Sequence, residues 1–118
     1  MKELQNSFTT PEQSRRLIEL GVPVDSADML YCRYRGRLWG DPEPCYRKYS
    51  EYSVDSSFEM LPCWSALKLV EILGICAGME SADVKALARA EGTWQEKLIR
   101  LIEYLVKYDK LTFSELEE

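Results

Sequence analysis

Histidine, the side chain that most often performs catalysis near neutral pH, is absent from this sequence of 118 residues. Its absence excludes Ser-His-Asp and Cys-His catalysis and imidazole ligation of metals. Thiol chemistry would have to use one of four cysteines, which are Cys32, Cys45, Cys63 and Cys76. Only a lysine or an arginine, such as Arg33, could activate such a thiol. We therefore expect none of the cysteines to be a nucleophile and the protein not to be an enzyme.

The spacing of the cysteines bears on metal binding and on cell compartment. Successive cysteines are 13, 18 and 13 positions apart, so there is no C-x-x-C pair of the kind that closes a zinc site. The sequence begins MKELQNS, which has no apolar segment that would direct it to an oxidising compartment. We predict free thiols that pack as small apolar side chains in a cytoplasmic protein, without metal or cofactor. A Cys₄ site or a redox pair is the alternative.

Carboxylates could also provide catalytic groups. Asp25 with Asp28, and Asp41 with Glu43, are close in sequence, but both pairs lie in turn-rich segments. Short acidic side chains in such segments usually cap the backbone or are solvated. Glycine-rich motifs that cradle phosphates are also absent. A small enzyme that uses carboxylates or a lone cysteine is therefore only the third functional hypothesis.

Basic and aromatic residues are concentrated in the segment 31–52. It contains five basic and three acidic residues, whereas the rest of the chain has ten basic and seventeen acidic ones. The net charge of −5 argues against bulk polyanion or membrane-surface binding, but it hides this local positive segment. The candidate contact residues are Tyr31, Arg33, Arg35, Arg37, Trp39, Arg47 and Lys48.

Two hypotheses follow from this segment. The first, which we favour, is that the basic face pairs with the acidic part of its own fold or with an acidic protein partner, since arginine and aromatic residues are enriched at protein interfaces. The second is binding of single-stranded nucleic acid, with phosphates on Arg33, Arg35 and Arg37 and bases stacked on Tyr31 and Trp39.

Caps and apolar spacing predict four helices, at 11–20, 65–77, 82–91 and 94–108. Each begins after a residue that can cap it, namely Thr10, Ser65, Ser81 and Thr93. Gln13 and Glu96 complete capping boxes at the first and last helices. The second helix is apolar around most of its girth, which indicates burial, and it is too short to span a bilayer.

The last helix has the clearest apolar spacing of the four. Its opposite face carries four charged residues, which we expect to be solvated: Lys97, Arg100, Glu103 and Lys107. Trp94, Tyr104 and Tyr108 either extend its apolar face into a homodimer interface or are absorbed by the core of a monomer.

From residue 29 the apolar period changes to two, which predicts a strand with Leu30, Cys32 and Tyr34 on its apolar face. Gly36 can turn this strand into a second, shorter one at 37–39. Residues 45–53 are predicted to be a loop with a short helical turn. The whole prediction is a single α+β domain over residues 1–118, dominated by helices and with a small β-hairpin at 29–39. We expect residues 1–8 and 112–118 to fray.

Five segments carry a resemblance to a known group of proteins. They are FTTPEQS at 8–14, LGVP at 20–23, DSADM at 25–29, LPCWS at 61–65 and IEYL at 102–105. Over residues 8–108 the chain resembles short uncharacterised proteins encoded in prophage-like and other mobile regions of gut anaerobic bacteria. The resemblance implies a helix, a strand, a proline-flanked tryptophan that leads into a buried helix, further strands and a last helix.

That resemblance brings no activity, cofactor or functional residue with it. Residues 81–91 depart from the group, because their composition predicts a helix where the resemblance implies strands. We expect Trp64 to be a packing anchor at the entry of the buried helix. The resulting hypothesis is a non-enzymatic accessory or protein-interaction protein of a phage or mobile element.

Overall fold

The computed structural model describes residues 7–52 and 57–116, which form four helices and a three-stranded antiparallel sheet. The predicted α+β class is therefore confirmed, and residues 81–88 are helical. The helices are α1 (Pro11–Glu19), α2 (Ala66–Ala77), α3 (Ser81–Ala88) and α4 (Trp94–Lys107). The strands are β1 (Met29–Tyr34), β2 (Glu43–Pro44) and β3 (Phe58–Cys63), and single 3₁₀ turns lie at Val24–Ser26, Tyr49–Glu51 and Ser114–Leu116.

Side-chain caps determine where the helices begin. Thr10 accepts a hydrogen bond from the amide of Gln13 at 3.1 Å, and Gln13 accepts one from the amide of Thr10 at 2.9 Å, which is the predicted capping box. The predicted start of α3 is wrong by one residue. Glu80 caps this helix and its amide donates to Asp83 at 2.8 Å, so Ser81 becomes the first helical residue.

Lys97 is the one member of the predicted solvated face of α4 that is buried, with 8% of its surface exposed. Its ammonium group donates to the carbonyl oxygens of Leu87 at 2.8 Å and Ala90 at 3.1 Å. These carbonyls lie where α3 ends and the regular helical hydrogen bonds stop, although that of Leu87 also accepts from the amide of Ala90 at 3.0 Å. The prediction of solvent exposure is wrong because this lysine caps the end of α3, which stops at Ala88 rather than at residue 91.

The sheet has the order β2-β1-β3, and β1 pairs with β3 over six residue pairs. The predicted return strand at 37–39 is wrong. The chain does turn after Tyr34, and the amide of Arg37 donates to its carbonyl at 3.1 Å with Gly36 at φ +74°. Leu38 is 93% exposed, so strand pairing at residues 37–39 would bury little apolar surface. Pairing of β1 with β3 instead brings buried residues of the two strands together.

The core forms around α2, which contributes Leu69, Ile72 and Leu73 with no exposed surface. They pack with buried residues of α1 and α4, among them Leu17, Leu98 and Ile102. The predicted burial of α2 holds for this face but not for the opposite one, where Leu67 and Ile75 are 44% and 49% exposed. One side of this helix therefore faces solvent, with the exposed Glu71 between these two apolar residues.

Trp64 anchors the entry of α2, as predicted. It is completely buried, and its indole N–H donates to the hydroxyl of Ser26 at 3.0 Å. The carbonyl of Trp64 accepts from the amide of Thr9 at 3.0 Å, and the carbonyl of Ser7 accepts from the amide of Ala66 at 2.8 Å. The expected fraying of residues 1–8 is therefore wrong for residues 7 and 8, which are held against the start of α2. Residues 1–6 lie outside the described residues.

At the other end of the chain, Leu111 is buried and Phe113 packs on the core, followed by the turn Ser114–Leu116. Residues 117 and 118, also expected to fray, lie outside the described ranges. Within residues 7–52 and 57–116, no helix combines the length and apolar character that a membrane span requires.

Candidate interaction surface

One end of the sheet projects beyond the core. Tyr34 and Phe58 face each other across the ends of β1 and β3, and their ring centroids are 4.3 Å apart. They are 54% and 36% exposed. The turn that follows β1 adds Arg35, Arg37 and Leu38, all of which are exposed. We call these five residues the sheet-end surface.

No carboxylate among the described residues neutralises the charges of this surface. In the part of the chain that the structure describes, neither Arg35 nor Arg37 has a carboxylate within ion-pair distance. The guanidinium of Arg37 lies 6.0 Å from the centre of the Tyr34 ring, at the limit of a cation–π contact. The surface therefore presents two free guanidinium groups beside exposed apolar side chains, which can bind carboxylate or phosphate groups.

Arg33, by contrast, is engaged within the fold. Its guanidinium lies 2.9 Å from a carboxylate oxygen of Glu59, directly across the β1–β3 ladder, and 4.1 Å from the centre of the Trp39 ring. Its side chain is only 25% exposed, and its Nε is buried without a partner. This residue contributes to the positive segment of the sequence, but its charge is paired within the chain.

The two aromatic residues expected to stack nucleic-acid bases are also occupied. Tyr31 is 8% exposed, its hydroxyl donates to the carbonyl of Thr9 at 2.7 Å, and burial raises its pKa. Trp39 lies 6.2 Å from the Tyr31 ring and carries Arg33 over its own ring. Neither residue presents a free stacking platform comparable to the exposed rings at the sheet end.

Arg47 and Lys48 lie in a different part of the surface. The amide of Cys45 donates to the carbonyl of Asp28, which places this segment near the start of β1, about 20 Å along the strand from Tyr34. Arg47 lies 4.9 Å from the Tyr52 ring. The predicted contact residues therefore lie in three places. One group is exposed at the sheet end, Arg47 and Lys48 are exposed near the start of β1, and the cluster around Arg33 is packed inside the fold.

Asp25 and Asp28 both bind serines of the fold. Asp28 accepts hydrogen bonds from the amide of Ser65 at 2.9 Å and from its hydroxyl at 2.6 Å, which fixes the start of α2 beside β1. Asp25 accepts from the amide and hydroxyl of Ser50, and these bonds, helped by Lys48, hold its pKa below the usual value. Each carboxylate is thus bound to a different serine.

All four cysteines are free thiols. Burial raises the pKa of Cys45 and of Cys63 to about 11, and it raises that of Cys32 and Cys76 as well. Only Cys63 is buried, so complete packing inside the core holds for just one of them.

No group of three or more Cys, Asp or Glu side chains among residues 7–52 and 57–116 is arranged to hold a metal ion. Sequence reasoning missed Phe58 and Leu38 as members of the sheet-end surface. Phe58 meets Tyr34 only through the long-range register of the sheet, for which the sequence contains no local signal. Tyr34 was expected on an apolar face, but β1 extends past the core at that point.

The fold and this surface define a small α+β domain that exposes a basic, aromatic sheet end. Comparison of the chain with known protein families, with curated proteins and with solved structures finds no significant match.

Proposed function

We propose that this protein is a non-enzymatic interaction protein of a phage or mobile element, and that it binds an acidic protein partner through the sheet-end surface. The carrying observation is the pair of exposed arginines, Arg35 and Arg37, which have no carboxylate partner within the described chain and lie beside three exposed apolar side chains. Arginine and aromatic residues supply most of the binding energy in many protein interfaces.

The arrangement of the side chains favours a protein over a nucleic acid as the partner. Stacking of bases requires open aromatic faces, but Tyr31 is buried and Trp39 is already covered by Arg33. The two exposed rings at the sheet end lie against each other, with 4.3 Å between their centroids, so each has only one side left for a base. The exposed aliphatic side chain of Leu38 has no role in phosphate binding, whereas it suits an apolar contact at a protein interface. The setting in a phage or mobile element is supported by the sequence resemblance alone.

Enzymatic hypotheses gain less support. Raised thiol pKa values keep the cysteines protonated near neutral pH, so they are poor nucleophiles. The carboxylates of Asp25 and Asp28 already accept hydrogen bonds from serines of the fold.

Affinity capture with matched charge-reversal variants tests this proposal. The double variant Arg35→Glu/Arg37→Glu should lose a partner that the parent protein recovers from a host lysate, because attraction of an acidic surface becomes repulsion. The control is Lys85→Glu/Arg89→Glu, on α3 and directly after it, which makes the same change in net charge at two exposed residues. This control should still recover the partner.

Nuclease treatment of the lysate separates the two classes of partner. A protein that is captured after nuclease treatment, and lost only in the Arg35/Arg37 variant, supports the proposal. Recovery of the same proteins by all three forms would overturn it, and recovery of single-stranded nucleic acid in place of a protein would establish the competing hypothesis.

A further inference from the structure

The hydrogen-bond register shows which backbone groups of β3 point away from the sheet. The amide of Arg35 donates to the carbonyl of Ser57 at 3.2 Å, so these two residues form a hydrogen-bonded pair at the end of the β1–β3 ladder. In an antiparallel ladder such pairs alternate along the strands. The N–H and C=O groups of Phe58 and Met60, and the C=O of Pro62, therefore face the outer edge.

The chain itself occupies the far part of this edge. Beyond β3, the backbone groups of Trp64 and Ala66 also face outward. The carbonyl of Trp64 accepts from the amide of Thr9, and the amide of Ala66 donates to the carbonyl of Ser7. Next to them, Pro62 is buried and has no N–H to offer. Residues 64–66 are thus already paired, and Pro62 separates them from the rest of the edge.

The near part of the edge has no partner strand among residues 7–52 and 57–116. In the described structure, no backbone group lies in hydrogen-bonding position to the outward-facing N–H and C=O groups of Phe58 and Met60. Phe58 is 36% exposed and Met60 is partly exposed. Unpaired backbone groups on an exposed strand edge are a template for another strand. This open stretch directly adjoins the sheet-end surface, because Phe58 belongs to both.

We propose that an extended acidic segment of the partner adds as a further strand along Phe58–Met60, an inference that rests on the proposed function. Backbone hydrogen bonds to Phe58 and Met60 would supply affinity without regard to sequence. Acidic side chains of the incoming strand would meet Arg35 and Arg37, which have no carboxylate of their own within the described residues. Pro62 limits the addition to this short stretch.

Met60→Pro tests the inference without removing a ladder bond to β1. The N–H of Met60 faces outward, so proline deletes only the outer donor and blocks the edge, as Pro62 does two residues further on. The matched control, Met60→Leu, keeps the N–H. The probe is the acetylated and amidated peptide Val-Glu-Val-Glu-Val-Glu, with the corresponding Val-Lys peptide as the charge control.

In ¹H–¹⁵N correlation spectra, the Val-Glu peptide should shift the amide signals of Phe58 and Met60. The Met60→Pro variant should bind it about tenfold more weakly, while Met60→Leu binds as the parent does. The Val-Lys peptide should bind neither form. Absence of shifts at Phe58 and Met60 with millimolar Val-Glu peptide, or equal binding by Met60→Pro, overturns the inference.

A second measurement covers the case in which Met60→Pro fails to fold. In the parent protein, saturating Val-Glu peptide should slow hydrogen exchange of the Met60 amide, and unchanged exchange overturns the inference. Failure here is distinguishable from failure of the proposed function. If the captured partner is lost with Arg35→Glu/Arg37→Glu but retained by Met60→Pro, the proposed surface stands and strand addition is wrong.

Discussion

Burial determines the reactivity of individual thiols in this protein. Cys63 hydrogen bonds weakly to Thr9, with 3.7 Å and 3.5 Å between sulfur and oxygen, and it has no exposed surface. Cys45 is partly exposed, yet burial raises its pKa to about 11 as well. A thiol with a raised pKa remains protonated, and therefore unreactive, up to that pH.

Alkylation with iodoacetamide near pH 8 should thus be slow at Cys45, about 100-fold slower than at a thiol of ordinary pKa, because the thiolate fraction is smaller by that factor. Cys63 should not react at all in the folded protein. Mass spectrometry of labelled peptides over time gives both rates, and the protein unfolded in guanidinium chloride is the control. Labelling of Cys45 at the rate of free cysteine would show that burial does not govern its reactivity.

Helix α3 depends on a residue of its neighbour. Its side chains bury little, since Val84 is the only buried residue among its eight. The buried ammonium of Lys97 satisfies the carbonyls of Leu87 and Ala90 where this helix ends, and it also lies 4.6 Å from the Trp94 ring. Removal of this cation takes the side-chain donor away from both carbonyls, and that of Leu87 then keeps the amide of Ala90 at 3.0 Å.

Lys97→Met should therefore lower the free energy of unfolding by about 1–3 kcal/mol, while keeping the apolar stem that fills the site. Hydrogen exchange should accelerate most in α3. Chemical denaturation and exchange measured by mass spectrometry check both effects. Arg100→Met, at a side chain that is 65% exposed, is the control and should change stability little. Equal losses in the two variants would contradict a capping role.

Helix boundaries were predictable where the signal is local. Thr10 and Gln13 form their capping box within one turn, so the sequence alone places the start of α1. The end of α3 was not predictable in this way, because Lys97 lies on the next helix. The sheet shows the same limit: the period of two predicts β1, but only tertiary burial decides that β3 rather than residues 37–39 becomes its partner.

At the scale of the whole molecule, the net charge of −5 is unevenly distributed. The structure divides the positive segment further, since Arg33 pairs with Glu59, whereas Arg35 and Arg37 are exposed at the sheet end and meet no carboxylate in the described ranges. The candidate residues could be found from composition, but their separation could not, because it depends on the register of distant strands. The acidic remainder of the surface disfavours nonspecific binding of polyanions and leaves the sheet end as a local site for acidic groups.

A charge-swap measurement tests direct contact between this surface and an acidic partner. Acidic residues of the captured partner are changed to lysine in turn, and each form is titrated against the parent protein and against Arg35→Glu/Arg37→Glu. We expect that at least one partner variant binds the parent more weakly but restores affinity for the reversed surface by about tenfold or more. If no acidic position in the partner restores binding, while the reversed protein remains folded, the sheet-end surface is not the binding site.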